Sequence, residues 1–263
     1  MTTNRSSAGP DSRQRWPDRL WIVRHGESSG NVARDIAHEA RSLRIDTLGR
    51  DVDVPLSPRG ETQSAALGRW FAGQPLRPNV VLASPYLRAQ QTARLMHAAG
   101  GVDVAPGDFI LDERLREKEF GILDRLTRYG IEADHPDQAE MRRVLGKFYH
   151  RPPGGESWCD VILRLRGALD TISLHYAGAR VLIVAHQVVV LCLRYLLEQM
   201  TEEQILAVDA EGDVANCSIT AYGFDPGAGP RGGLVLQDYN FTVPLEAEGV
   251  PVTAETDAPR AAR

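Results

Sequence analysis

Leu20-Trp21-Ile22-Val23-Arg24-His25-Gly26-Glu27-Ser28-Ser29-Gly30-Asn31 is an apolar run that stops abruptly at Arg-His-Gly-Glu. It reads as a buried strand that delivers an arginine and a histidine at its C-terminal end, with a glycine where the chain must turn. Ligands of open α/β sheets sit beyond the carboxyl ends of the strands, so this placement suits an anion-handling site. Two more apolar runs end in the same manner. Val80-Val81-Leu82-Ala83 leads into Ser84-Pro85, with Arg88 one helical turn on, and Val181-Leu182-Ile183-Val184-Ala185 leads into His186-Gln187. Parallel strands would bring these ends to one crevice, where two histidines and two arginines make a pocket for a dianion. Taken singly, each residue has a plainer reading: a satisfied core histidine, or an arginine on a solvated helix face. The combination is what points to a site.

Between these runs the punctuation is that of helices. Ser57 can cap, Pro58 sits at a first helical position, and Glu61 follows near the capping-box offset, which predicts a helix to Ala72 burying Ala65, Leu67 or Ala66, Trp70 and Phe71. A second helix spans Tyr86 to His97 and stops at Gly100-Gly101. Val102 to Ala105 reads as a short edge strand, and Leu111 to Leu123 as irregular. A mostly polar helix is expected from Glu132 to Tyr149, broken by Pro152-Pro153-Gly154-Gly155. A long amphipathic helix then opens at Glu156-Ser157 and carries Val161, Leu165, Ala168, Leu169 and Ile172. Helices from Val188 to Glu198 and Glu202 to Val208 precede two candidate antiparallel strands, Ser218 to Phe224 and Leu234 to Tyr239. The order predicts a three-layer α/β fold, with a largely parallel central sheet covered by helices on both faces. The expected divisions are a disordered leader at 1–18, one domain at 19–243 and a disordered tail at 244–263. Val32 to Asp53 reads as a loop with a short helix, near the site.

Composition narrows the function. The chain of 263 residues has a formal net charge of −5, so any attraction for anions must be local, and nucleic acid is a poor expectation. All basic residues except Lys118 and Lys147 are arginine, which makes suggestive arginine spacings commoner by chance. Cys159, Cys192 and Cys217 have no metal-like spacing and fit free thiols in a reducing compartment. No stretch approaches the roughly 18 uncharged apolar residues of a membrane span, so a cytoplasmic protein without a membrane partner is the expectation. Neither a phosphate-binding Gly-Lys-Ser/Thr loop nor a dinucleotide Gly-x-Gly-x-x-Gly turn is present, and no cofactor or metal is expected.

Four ordered motifs together resemble the histidine phosphatase, or phosphoglycerate mutase-like, superfamily. They are Arg24-His25-Gly26-Glu27 with Asn31, Ser84 to Ala93 around Arg88, Arg114-Leu115-Arg116-Glu117-Lys118-Glu119-Phe120-Gly121, and His186. The resemblance spans Arg19 to Phe241. It implies that His25 is the nucleophile that becomes phosphorylated, that Arg24, Arg88 and His186 hold the phosphoryl oxygens with help from Asn31 and Gln187, and that Glu117 protonates the leaving oxygen. That chemistry is physically coherent, since phosphoryl transfer needs an in-line nucleophile, neutralised equatorial oxygens and a proton for the departing alkoxide. Glu113 and Glu119 stand close enough in sequence to be the acid instead.

A narrower similarity is to the bisphosphatase domain of the bifunctional fructose-2,6-bisphosphate enzymes. Arg143, Lys147 and Arg151 recur every four residues, which puts Arg143 and Lys147 on one helix face with Arg151 continuing the line. With Tyr129 and the Pro153 to Ser157 turn, they match residues that grip a second phosphate there. Trp158 replaces a tyrosine of that family, Leu191 replaces a substrate-binding arginine, and 32–53 is longer. Losing one cationic contact removes about 1.5–3 kcal/mol, so the expectation is a broader phosphatase acting on small phosphorylated metabolites. The rivals are a phosphoglycerate mutase-type isomerase, against which His186-Gln187-Val188 argues where mutases carry His-Gly-Asn, and an inactive binding member. The two C-terminal strands offer an edge for a homodimer.

Overall fold

The computed structural model describes residues 14–47, 49–229 and 231–254. Most of the expected leader and the far end of the expected tail lie outside the described residues. The elements are β1 (Arg19–Arg24), α1 (Ser29–Glu39), α2 (Pro58–Ala72), β2 (Val80–Ala83), α3 (Leu87–Ala98), β3 (Ile110–Leu111), α4 (Arg128–Asp134), α5 (Pro136–Tyr149), α6 (Trp158–His175), β4 (Arg180–Ala185), α7 (Gln187–Leu197), α8 (Glu202–Glu211), β5 (Ile219–Asp225), β6 (Gly233–Phe241) and α9 (Val243–Glu246). They build the expected three-layer α/β fold around a mixed, mostly parallel sheet of six strands, in the order β3-β2-β4-β1-β5-β6. β3, β2, β4 and β1 run parallel, whereas β5 and β6 are antiparallel additions.

Register brings the three polar strand ends level. Arg24 lies opposite Ala185 across β1 and β4, and Ala83 opposite Val184 across β2 and β4. The next residues, His25, Ser84 and His186, therefore leave the sheet side by side. The ladder continues one step beyond the strands, with His25 N–H donating to Ala185 O at 2.9 Å and Ser84 N–H to Val184 O at 3.0 Å.

The central strands are apolar on both sides because each side is covered. Val181, Ile183 and Ala185 pack with α6 and α7, while Leu182 and Val184 pack with α2 and α3. Within α2, Ala66, Leu67 and Phe71 are buried, and Ala65 and Trp70 lie at the margin. Capping chemistry fixes the helix starts. Ser57 Oγ accepts from Gly60 N–H ahead of α2, and Ser157 and Asp160 form a capping box ahead of α6.

Four expectations are corrected. Val102 to Ala105 is not a strand: Asp103 N–H donates to Pro78 O, and the sheet edge is instead the exposed pair Ile110–Leu111 beside β2. The helix expected from Glu132 to Tyr149 is two helices, parted at His135-Pro136, because proline cannot supply the N–H that a continuous helix needs. Gly146 has φ +76°, so α5 is kinked there, and Arg143 and Lys147 do not share one helical face as their spacing suggests. Finally, residues 244–254 are not loose: Leu245 and Val250 are buried, and Gln63 Nε2 donates to Pro251 O and Thr253 Oγ1. At the other end Trp16 packs against the core.

Candidate active site

The segment after β1 is clamped between α2 and α3. Gly26 N–H donates to Thr92 Oγ1 at 3.0 Å, Glu27 N–H to Gln63 Oε1 at 2.9 Å, and Ser57 N–H to Glu27 O at 2.9 Å. The Glu27 carboxylate accepts from Ser57 Oγ at 2.6 Å and from Arg59 Nη1 at 3.0 Å. Glycine at 26 serves close approach rather than a left-handed turn. A Cβ there would stand 2.5 Å from Gly60 O, and one on Gly60 would stand 1.9 Å from Glu27 O. Asn216 Nδ2 donates to His25 O at 3.0 Å. His25 therefore rests on a backbone tied down from three directions.

Its ring is oriented by its own neighbour. Nδ1 lies 2.7 Å from Gly26 O, which can only accept, so Nδ1 carries the proton and Nε2 keeps its lone pair. Arg88 Nε donates to Nε2 at 3.2 Å. Burial first, then the charges of Arg88 and Arg24, hold the His25 pKa well below its ordinary value of 6.5. The ring stands edge-on to His186, with centroids 5.1 Å apart. His186 is fully buried, and burial, Arg88 and His25 hold it neutral too. One of its nitrogens, Nε2, shares a hydrogen bond with Ser84 Oγ at 2.8 Å. The other, Nδ1, is buried with no hydrogen bond from the described residues, a cost that an acidic or anionic ligand can relieve. Tyr86 packs edge-on against His186, and the Arg88 guanidinium lies over the Tyr86 ring.

Arg24 is drawn into the same group by Gln187 Oε1, which accepts from its Nη1 at 2.9 Å, and by Val214 O. Gln187 Nε2 in turn donates to Asp213 Oδ1 at 3.0 Å. Gln187 is thus placed to aim Arg24. Asn31 Oδ1 is spent on the capping box of α1, accepting from Ser28 N–H at 2.9 Å, so only its amide Nδ2 is suited to donate to an anion.

Among the three acids of 113–119, Glu113 and Glu119 are exposed and Glu117 is half-buried. Desolvation raises the Glu117 carboxyl above its ordinary 4.5, against the pull of Lys118 N–H, Arg88 and Arg24. A clamp holds this segment: Arg164 Nη2 donates to Glu117 O at 3.2 Å, and Glu156 accepts from Arg164 Nε and, at 3.0 Å, from Glu119 N–H.

Of the residues expected to grip a second phosphate, the three cations each pair with an acid. Arg143 pairs with Glu140 on an exposed face, and Arg151 pairs with Asp160. Lys147 binds both carboxylate oxygens of Asp209 at 2.7 and 2.8 Å and lies over Trp158. Tyr129 OH accepts from its neighbour Arg128 at 2.6 Å. Three contributors escape the sequence reading. Tyr86 lies within the Ser84 to Ala93 motif, but Asn216 and Asp51 carry no local signal; Asp51 Oδ1 and Oδ2 each lie 3.1 Å from Arg88.

Arg24 and His25 at the end of β1, His186 after β4 and Arg88 in α3 make a group of side chains suited to an anion. The chain belongs to the histidine phosphatase superfamily (branch 1), whose profile matches residues 20–231. It is 28% identical over 229 residues to a probable phosphoglycerate mutase GpmB of Yersinia enterocolitica, covering 86% of this chain and 94% of that one. It is 31% identical over 176 residues to the probable GpmB of an Enterobacter, covering 66% and 72%. Among solved structures it resembles mycobacterial glucosyl-3-phosphoglycerate phosphatase, with TM-score 0.63, 25% identity and coverage of 85% and 99%. It shares its fold with a putative alpha-ribazole-5'-P phosphatase of Escherichia coli, with TM-score 0.66, 22% identity and coverage of 86% and 97%. Among the described residues, no helix is long and apolar enough to cross a membrane.

Proposed function

We propose that this protein hydrolyses phosphomonoesters of small metabolites through a phosphohistidine on His25. The observation that carries the reading is the tautomer: Gly26 O holds the proton on Nδ1 and leaves the Nε2 lone pair beside Arg88. Nε2 attacks phosphorus, the P–O ester bond breaks, and its electron pair leaves with the alkoxide, which takes the Glu117 proton. Arg24, Arg88, His186 and the Asn31 amide neutralise and orient the phosphoryl oxygens, so the role suited to Gln187 is to position Arg24. In the second half, water attacks phosphorus, the Glu117 carboxylate receives its proton, the P–N bond breaks, and neutral His25 returns with inorganic phosphate as product. No step needs a metal ion, because arginines carry the charge.

The acid pairing of Arg143, Lys147 and Arg151 favours a monophosphate over fructose 2,6-bisphosphate as substrate. A mutase reading draws support from the relatives named phosphoglycerate mutase. Product analysis separates the two: stoichiometric free phosphate from 3-phosphoglycerate and other monoesters supports hydrolysis, whereas 2-phosphoglycerate with little free phosphate overturns it. His25→Ala is expected to abolish turnover of p-nitrophenyl phosphate, and unchanged turnover would remove His25 from the role.

A further inference from the structure

Arg88 already holds an anion supplied by the chain itself. Its Nη1 donates to the Asp51 main-chain oxygen at 2.7 Å and to Asp51 Oδ1 at 3.1 Å, and its Nη2 to Oδ2 at 3.1 Å. Nε faces His25 Nε2. The fork that would neutralise a phosphoryl group at His25 is thus occupied end-on by a carboxylate, whose geometry is that of a bidentate arginine–anion pair. Asp51 opens the 3-10 turn Asp51–Asp53, within the long segment between α1 and α2. The two partners differ in a telling way: the Arg88 side chain is 7% exposed and that of Asp51 is 47% exposed. Arg88 is buried beside His25, and the carboxylate that reaches it is half exposed.

We propose that Asp51 makes a self-inhibiting contact, competing with the phosphoryl group for Arg88. This rests on the phosphatase reading of the same pocket. A ligand that offers nothing except phosphoryl oxygens, such as inorganic phosphate, must displace Asp51 without further gain. An ester whose organic part makes its own contacts displaces it more readily. The contact thereby weakens free phosphate, including the product, and phosphomonoesters by the same factor, and an ester offsets that cost through the contacts of its organic part.

The test is Asp51→Asn, which keeps the side-chain size and the main-chain contact. Asp53→Asn serves as control, since the Asp53 carboxylate pairs with Arg50 on the same turn with both side chains more than half exposed. Phosphate affinity is read by calorimetry on the whole protein, and by competitive inhibition of p-nitrophenyl phosphate hydrolysis. Because the competing pair is partly exposed, Asp51→Asn is expected to lower the phosphate dissociation and inhibition constants by about three- to tenfold, with KM falling more than kcat changes. Asp53→Asn should leave them unaltered. Constants that stay the same or rise in Asp51→Asn overturn the proposal, as does an equal fall in Asp53→Asn, which would mark a loosened turn rather than a competing charge. If neither wild type nor Asp51→Asn binds phosphate, the competition is refuted along with the phosphoryl pocket. If wild type hydrolyses esters in a His25-dependent way and Asp51→Asn binds phosphate no better, the competition alone falls.

Discussion

His25 and Glu117 are displaced from their ordinary values in opposite senses, and the proposed first step needs both displacements. His25 must be unprotonated, and its depressed pKa places the acid limb of activity below 6.5. Glu117 must be protonated, and its raised pKa places the alkaline limb above 4.5. A plot of kcat/KM against pH for an alkyl phosphate should therefore be bell-shaped between those limbs. Glu117→Gln should remove the alkaline limb and slow alkyl phosphates by about 10²–10⁴-fold, while p-nitrophenyl phosphate, whose leaving group departs without a proton, is largely spared. Equal loss on both substrates would assign the proton to another group. The sequence alone offered three acids here, because what separates Glu117 from Glu113 and Glu119 is enclosure by distant segments.

Local elements owe their positions to contacts of two kinds. The crossing of the β1–α1 turn over the start of α2 admits no side chain at Gly60, whose added Cβ would meet the backbone of Glu27 rather than a movable side chain. Gly60→Ala is expected to cost about 3 kcal/mol or more, seen as a lowered melting midpoint, and a melt within a degree of wild type would contradict this packing. The 114–119 segment depends instead on the Arg164 clamp. Arg164→Met preserves the apolar stem and should reduce turnover of alkyl phosphates more than that of p-nitrophenyl phosphate, since it disturbs the acid and not the nucleophile. A uniform loss would point to a general loss of structure. Helix starts were legible from sequence because caps are local, as at Ser57 and Ser157. The break at Gly146 was not, since a repeat of every four residues says nothing about whether the backbone stays helical between them.

The whole molecule couples folding to protons through His25 and His186, two of its buried histidines. Below pH 6.5 an unfolded chain protonates His25 and His186, whereas the folded chain keeps them neutral until lower pH. Folding stability should therefore fall as pH drops below 6.5, by roughly 1.4 kcal/mol per pH unit for each histidine. Glu117 acts in the other sense: its raised pKa favours the folded state fully below 4.5, and that share is lost as pH rises through its folded value. Thermal melts between pH 7 and 5.5 should show a shallower decline for His25→Asn than for wild type, and parallel slopes would deny that His25 is buried neutral.

Three apolar runs, their polar ends and the caps between them were enough to specify a covered α/β sheet and to nominate His25, Arg24, Arg88 and His186. Strand period, helix capping and the carboxyl-end rule act over short stretches of chain, so they can be read there. The edge strand at Ile110–Leu111 and the docking of 244–254 could not, because two exposed residues make no pattern and the apolar residues around Leu245 and Val250 are split by proline, glutamate and glycine. Only the tertiary structure decided that Glu117 is the least exposed of the three acids, that Asn216 and Gln187 steady the site, that Lys147 faces Asp209, and that Asp51 lies on Arg88. Each of those depends on burial or charge contributed by residues far along the chain, and no local pattern encodes such a meeting.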